Sequence, residues 1–369
     1  MRFSVADHHF MAQALRLAER GLWTTRPNPR VGCVIVRDGE VVGEGAHLRA
    51  GEPHAEVHAL AMAGERARGA TAYVTLEPCS HHGRTPPCAE ALLEAGIGRV
   101  VAAMPDPNPQ VAGRGLARLQ AAGVETAVGL LAAEAEALNP GFVQRMRTGR
   151  PFVPCKLAAS LDGRTALASG ESKWITAADA RRDVHRLRAR SCAIVTGSGT
   201  VQADDPALTV RDIKLPAQWP GQPLRVVLDS QLRTAPAAAV VQGEGEVLIL
   251  HAAADASPRA AALTAAGARV ERIAAAADGL DLAAVLERLA ALEINEVLVE
   301  AGPTLAGAFV QAGLVDELVI YLAPHLMGHD GSPLLRLPGI VSMKQRLPLR
   351  ILDVRMVGTD LRVRARLEK

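Results

Sequence analysis

Aromatic side chains are scarce in this 369-residue chain: three Trp, two Tyr and five Phe, 3% of the total. A protein that recognises nucleic acid by stacking bases needs such rings, usually on a basic face. The formal net charge is only +2, so no global field draws the chain to nucleic acid or to a membrane surface. No apolar run reaches the roughly 18 residues of a membrane span. Residues 1–5, Met-Arg-Phe-Ser-Val, lack the apolar centre of a signal peptide. The five cysteines, at 33, 79, 88, 155 and 192, are odd in number and scattered. That argues against a disulfide framework and for a reducing compartment. The expectation is a cytoplasmic protein with neither membrane nor nucleic-acid partners. No Gly-x-Gly-x-x-Gly follows a strand and no Walker A sequence occurs, so the usual phosphate-loop signatures are missing too.

What is present is apolar bulk, 49% of residues, carried by Ala, Leu, Val and Gly. The length is enough for two cores. Residues 4–20 read as a helix stopping at Gly21. Residues 31–36 read as a buried strand, turned by Asp38-Gly39 into a return strand at Val41-Val42. Helices at 55–63, 86–95 and 114–122 alternate with strands at 71–76, 99–103 and 124–128. Such alternation implies a mostly parallel sheet covered on both faces. Asn139-Pro140-Gly141 and Gly149-Arg150-Pro151 suit a boundary, which divides the chain into domains 1–149 and 150–369. The second domain starts with strand 152–159 and helix 177–190, capped by Thr176 with Asp179 three residues on. Strands follow at 193–196, 224–229, 246–251, 296–300 and 317–322, with helices at 258–266, 281–291 and 304–312. An Arg-rich, alternating stretch at 349–367 closes the chain. Both halves therefore read as α/β.

The first chemical constellation is His54-Ala55-Glu56, then Pro78-Cys79, then Cys88. Thiolate and imidazole are preferred zinc ligands, and three of them leave a fourth position for water, the catalytic arrangement. Zinc lowers that water's pKa to about 7, readying it to attack a carbon that bears an amino group. Glu56, two residues past His54, can move the protons without binding the metal. His-x-Glu with Pro-Cys and a second Cys is the pattern of zinc deaminases. His58, at i+4 from His54, and His81 and His82 are rival ligands. Cys88 falls in the first turn of a helix opened by Thr85-Pro86-Pro87, where the dipole favours a thiolate. The spacing from Cys79 to Cys88 inserts Ser80-His81-His82-Gly83-Arg84-Thr85-Pro86-Pro87. A plain cytidine or adenosine deaminase has two residues there.

That inserted string, Glu-Pro-Cys-Ser-His-His-Gly-Arg-Thr-Pro-Pro-Cys at 77–88, resembles the bifunctional deaminase–reductase family of riboflavin biosynthesis. So do Pro27-Asn28-Pro29-Arg30-Val31-Gly32, Gly51-Glu52-Pro53-His54-Ala55-Glu56 and Asp106-Pro107-Asn108-Pro109. In the second half, residues 156–164 and 204–209 are similar to the same family's reductase. The resemblance implies a cytidine-deaminase-like α/β/α sandwich followed by a dihydrofolate-reductase-like α/β domain. It implies two successive reactions. The exocyclic amine of 2,5-diamino-6-(5-phosphoribosylamino)pyrimidin-4-one would be hydrolysed at zinc, and the ribosyl group then reduced to ribityl with NADPH.

The resemblance also implies roles for particular residues. His54, Cys79 and Cys88 would hold one Zn2+, and Glu56 would be catalytic. Ala158, Trp174, Thr200, Asp204, Ser230, Gly302, Pro303, Thr304, Leu305, Ala306, Gly307 and Ala308 would contact NADPH. Ser172, Arg188, Leu208, Arg211 and Glu300 would contact the phosphoribosyl substrate. The family forms oligomers, so a homo-oligomer, with a dimer favoured, is expected.

Other readings stay open. Asn28, Asp106 and Asn108 suit either hydrogen bonds to a ring or ordinary Asx-Pro turns. Arg84 suits a substrate phosphate or a solvated loop. Most of the arginines at 181, 182, 186, 188 and 190 fit a solvated helix face. Lys156, Asp204 and Glu300 are equal candidates for the reductase proton donor. A nucleic-acid deaminase would keep the zinc pattern, but the few aromatics and the small net charge weigh against it. A zinc scaffold without catalysis would not need an open metal position beside Glu56.

Overall fold

The computed structural model describes residues 3–80, 87–109, 111–253 and 258–368. His81, His82 and Arg84, and the start of the helix expected at 86, lie outside the described residues. The chain divides into two compact units: Met1–Gly149 with Pro216–Pro220, and Arg150–Leu215 with Gly221–Lys369.

The first unit is built on a five-stranded sheet. Its order is Glu40–Ala46, Gly32–Arg37, Thr71–Val74, Arg99–Ala102, Glu125–Val128. The last three strands run parallel. Strand Gly32–Arg37 is antiparallel to both its neighbours, so this sheet is mixed rather than mostly parallel. The hairpin lies where Asp38-Gly39 places it, with φ of 51° and 83° at its two turn residues, as a type I′ turn requires.

Two glycines set how closely helices approach this sheet. A Cβ on Gly32 would stand 2.0 Å from the Ala14 carbonyl oxygen, and one on Gly45 2.0 Å from that of Ala55. Gly45 pairs across from Cys33, next to Gly32 in its strand, so the two glycines face opposite ways. Helices Val5–Ala18 and Ala55–Ala63 therefore cover opposite faces. The first is held at its start by a Ser4–Asp7 capping box.

Of the two signals read in 139–151, Asn139-Pro140-Gly141 starts a helix and makes no turn. Asn139 is the N-cap and Pro140 the first residue of a helix, Pro140–Thr148, ended by Gly149 at φ 74°. Proline is tolerated at N1 because that N–H has no intrahelical partner. The Ala-rich helix Ala132–Leu138 before it was not anticipated.

The second unit holds a nine-stranded sheet. Strands Arg269–Arg272, Val247–His251, Leu224–Leu228, Ala193–Gly197, Val297–Glu300, Pro154–Ser160 and Glu317–Ala323 are parallel neighbours in that order. The antiparallel hairpin Leu349–Val357 and Asp360–Leu367 extends its edge. Alternate residues feed separate cores: Val195, Val226 and Leu248 on one face, Ile194, Val227 and Ile249 on the other. Period-2 alternation with apolar residues on both faces marks a fully covered sheet. Helix Ala178–Arg190 is capped differently from the expectation. Its N-cap is Ala177, whose N–H donates to Asp360 Oδ2 at 2.7 Å. A partner some 180 residues away replaces the local Thr176 cap.

Candidate functional site

The first unit gathers its chemistry at the carboxyl ends of the parallel strands, where α/β sheets place ligands. His54 is the N-cap of helix Ala55–Ala63, and Glu56 lies in its first turn. Cys88 opens helix Cys88–Glu94. The His54 Nδ1 stands 3.2 Å from Cys88 Sγ and 3.6 Å from Cys79 Sγ. The three ligand atoms all lie within 4.8 Å of one another. A tetrahedral zinc with ordinary Zn–N and Zn–S bonds has N···S edges of about 3.6 Å, so the donor set fits that ion in type and spacing. Among the described residues this is the one such cluster, and His58 is not part of it.

The electrostatics agree with a cation site. Cys79 accepts hydrogen bonds from the Cys88 thiol and from the Cys88 backbone N–H, at 3.3 Å. The bond from the thiol, with His54 beside it, holds Cys79 well below the ordinary thiol range despite burial. Two adjacent thiolates repel, so both ionise together only with a cation between them. Glu56 is 3% exposed. Burial pushes its carboxyl up to about 7, with His54 opposing and Cys79 adding to the rise.

Three further residues organise this centre. Glu77, next but one to Cys79, is buried. It accepts backbone N–H bonds from Asp106 and Gly113 on Oε2, 3.1 and 2.9 Å, and from Gly115 and Leu116 on Oε1, 2.9 and 3.3 Å. Asn28 Nδ2 donates to His47 Nε2 at 3.1 Å, and His47 Nδ1 donates to the Pro53 carbonyl at 3.1 Å. The His47 ring meets that of His54 edge-on, centroids 5.2 Å apart. This chain of bonds ties the Asn28 carboxamide to the imidazole that packs on His54. Asp106, raised to about 6 mainly by burial, accepts from the Asn108 N–H at 2.8 Å.

The second unit holds a cleft of about 1890 Å³. A single-ligand pocket has roughly 300–1,000 Å³, so there is room for two. Ala158, Trp174, Thr200, Asp204, Ser230, Gly302, Pro303, Thr304, Leu305 and Ala308 line it, as do Ser172, Arg188, Leu208, Arg211 and Glu300. Ala306 and Gly307 do not line it. Both are buried, and a Cβ on Gly307 would stand 2.0 Å from the Arg336 carbonyl oxygen. The two glycine-bearing turns are tied by the Gly302 N–H donating to Thr200 Oγ1 at 3.1 Å. Trp174 is 69% exposed in the cleft, with the Arg181 guanidinium 4.7 Å from its ring centroid.

Two comparisons identify this pairing of sites. Residues 4–104 match the family model of the cytidine and deoxycytidylate deaminase zinc-binding region, and residues 151–363 that of the RibD C-terminal domain. The riboflavin biosynthesis protein RibD of Escherichia coli (strain K12) is 56% identical over 96% of this chain and 98% of its own length. The chain belongs to the RibD family. A RibD structure from Acinetobacter baumannii superposes with a TM-score of 0.92 at 46% identity, covering 99% of both chains. The Thermotoga maritima diaminohydroxyphosphoribosylaminopyrimidine deaminase/5-amino-6-(5-phosphoribosylamino)uracil reductase gives 0.84 at 33%, covering 98% of this chain and 99% of its own. As a RibD protein, the chain is a bifunctional riboflavin biosynthesis enzyme with a zinc-binding deaminase domain and an NADPH-dependent reductase domain. No helix of the described residues is long and apolar enough to cross a membrane.

Sequence reasoning missed Glu77 as an anchor, His47 as the partner of Asn28, and the grip of Arg188 on Glu300. A carboxylate at the end of an apolar strand was the available signal for Glu77. Nothing local pointed to the other two.

Proposed function

We propose that the first unit hydrolyses the exocyclic amine of 2,5-diamino-6-(5-phosphoribosylamino)pyrimidin-4-one. The second then reduces the resulting 5-amino-6-(5-phosphoribosylamino)uracil to its ribityl form. The observation that carries this reading is the convergence of His54, Cys79 and Cys88 next to a buried Glu56. Bound there, zinc would supply an acidified water. Glu56 takes the proton from that water and delivers protons to the ring nitrogen and to the departing ammonia. A carboxylate held out of solvent beside that water can take up a proton and pass it on. The Asn28 carboxamide, oriented through His47, is placed to hydrogen-bond the pyrimidine edge, and Asp106 holds the turn that carries Asn108.

In the cleft, Ala158, Trp174, Thr200, Asp204, Ser230, residues 302–305 and Ala308 face NADPH, with Ala306 and Gly307 packing the turn from behind. Ser172, Arg188, Leu208, Arg211 and Glu300 face the substrate. NADPH supplies the hydride; the chain must supply a proton to the oxygen of the opened ribosyl group. Glu300 is poorly suited to this. Burial would raise its pKa, but Arg188, with Lys156 and His185, outweighs burial and keeps it a carboxylate. Lys156 pairs across from Glu300 in the sheet, and burial lowers its pKa. That makes its ammonium the better acid of the two, and we assign it the proton.

We further infer a cytoplasmic homodimer. None of the five cysteines is in a disulfide, in keeping with a reducing compartment. The edge strand Leu349–Val357 exposes Ile351, Val354 and Met356, an unpaired apolar edge that a second copy would cover. Sedimentation of the purified chain tests the dimer. The two activities are tested by following ammonia release and NADPH oxidation separately on the diaminopyrimidine nucleotide. Ammonia should appear first. NADPH consumption without prior ammonia release would overturn the order.

A further inference from the structure

Arg188 lines the cleft but has few hydrogen-bond donors left for a ligand. Its Nε and Nη2 donate to Glu300, and its Nη1 donates to the Thr209 carbonyl at 2.9 Å. Arg211 is different. Its side chain is 52% exposed, and its recorded ion pair is with the exposed neighbour Asp212 at 3.5 Å, a contact of little strength. Arg211 is thus the more available guanidinium for a phosphate in this part of the cleft.

The backbone that carries Arg211 is unusual. Leu208 and Asp212, on either side, have φ of 52° and 58°, a left-handed conformation that side chains other than Gly adopt only when surroundings impose it. Three side chains do so. Arg188 binds the Thr209 carbonyl. Gln222 binds Val210 twice, accepting its N–H at 2.7 Å and donating to its carbonyl at 3.1 Å. His185, 6% exposed, accepts the Arg211 N–H on Nδ1 at 3.3 Å, which places its ring proton on Nε2. His185 and Arg188 are three residues apart on helix Ala178–Arg190, hence on one face. Gln222 reaches the segment from outside the cleft lining.

We propose that His185 and Gln222 are positioning residues that present Arg211 to the phosphate of the reductase substrate. The proposal rests on the reading that Arg211 meets that phosphate. Gln222 lies outside the cleft lining, and His185, which borders it, acts on the backbone of Arg211, so their loss should weaken substrate binding and leave the chemical step alone.

The test uses the full-length zinc enzyme, the phosphoribosylaminouracil and NADPH. His185→Ala and Gln222→Met should each raise KM for the aminouracil about five- to ten-fold, the worth of a lost hydrogen bond. Their kcat should stay within about two-fold and KM for NADPH should not move, which also shows that the unit is folded. Inorganic phosphate should inhibit both variants less than the parent enzyme. His185→Asn, whose Oδ1 can accept the same N–H, should restore most of the affinity. Arg211→Ala is the control for the underlying reading: an unchanged KM there would refute the role of Arg211 itself. If Arg211→Ala raises KM while the other two variants leave it alone, the positioning role is wrong. An equal rise in KM for NADPH, or no rescue by Asn, would also overturn it.

Discussion

Arg188 grips Glu300 through two parallel hydrogen bonds, Nε to Oε1 at 2.6 Å and Nη2 to Oε2 at 2.9 Å. Both groups are largely buried, with side-chain exposures of 12% and 8%. The planar fork of a guanidinium matches a carboxylate in this way, and a lysine cannot. Removing one partner of such a pair strands the other's charge. Arg188→Met should therefore destabilise the reductase unit by about 3–5 kcal/mol, read as a lowered urea midpoint, and NADPH oxidation should fall. A midpoint equal to that of the parent would show that the pair is replaceable.

Glu77 should behave as an anchor for Cys79. Its carboxylate accepts from four backbone N–H groups. Glu77→Ala should cost about 2–4 kcal/mol, since buried unpaired donors carry a penalty of roughly 1–3 kcal/mol each and some will recover water. Zinc content per chain should drop with it. Full zinc occupancy and an unshifted unfolding midpoint would exclude the anchoring role.

The acid limit of the first unit should depend on Asp7. This carboxylate accepts from Tyr73 Oη at 2.8 Å and Arg99 Nη1 at 2.7 Å, and it completes the capping box with Ser4. Burial alone would raise its pKa, but Arg99, Ser4 and Tyr73 together hold it well below the ordinary 3.8. A depressed folded-state pKa contributes stability above the unfolded value and loses it as pH falls toward the folded one. Stability should therefore decline as pH drops below about 4. Asp7→Asn should be less stable at neutral pH and show a shallower decline in acid. Parallel pH profiles for parent and variant would contradict this.

Much of this was legible from local signals. Asp38-Gly39 announced its turn because two consecutive left-handed residues favour that pair. The strand-to-helix placing of His54 and Cys88 followed from apolar runs and proline position. What failed was non-local or ambiguous. Asn139-Pro140-Gly141 reads as a turn or as a helix start, and only packing decides. The cap of helix Ala178–Arg190 comes from Asp360, which no window around Thr176 contains. The resemblance placed Arg188 and Glu300 at the substrate, but their mutual grip spans 112 residues of sequence. Gly307 reads as part of a cofactor turn, and no local signal shows that its missing Cβ also makes room for the Arg336 backbone.

The central claim is that Glu56 moves the protons at the His54–Cys79–Cys88 centre. Glu56→Gln keeps the shape and removes the titrating group. Zinc content, ammonia release and NADPH oxidation should be measured on the same preparation, the last with the deaminated substrate supplied. Zinc should stay near one per chain and NADPH oxidation near the parent rate. Ammonia release should fall by at least 10²-fold, on the order of what a positioned acid–base group supplies. Ammonia release within a few-fold of the parent enzyme, with zinc in place, would contradict the assignment.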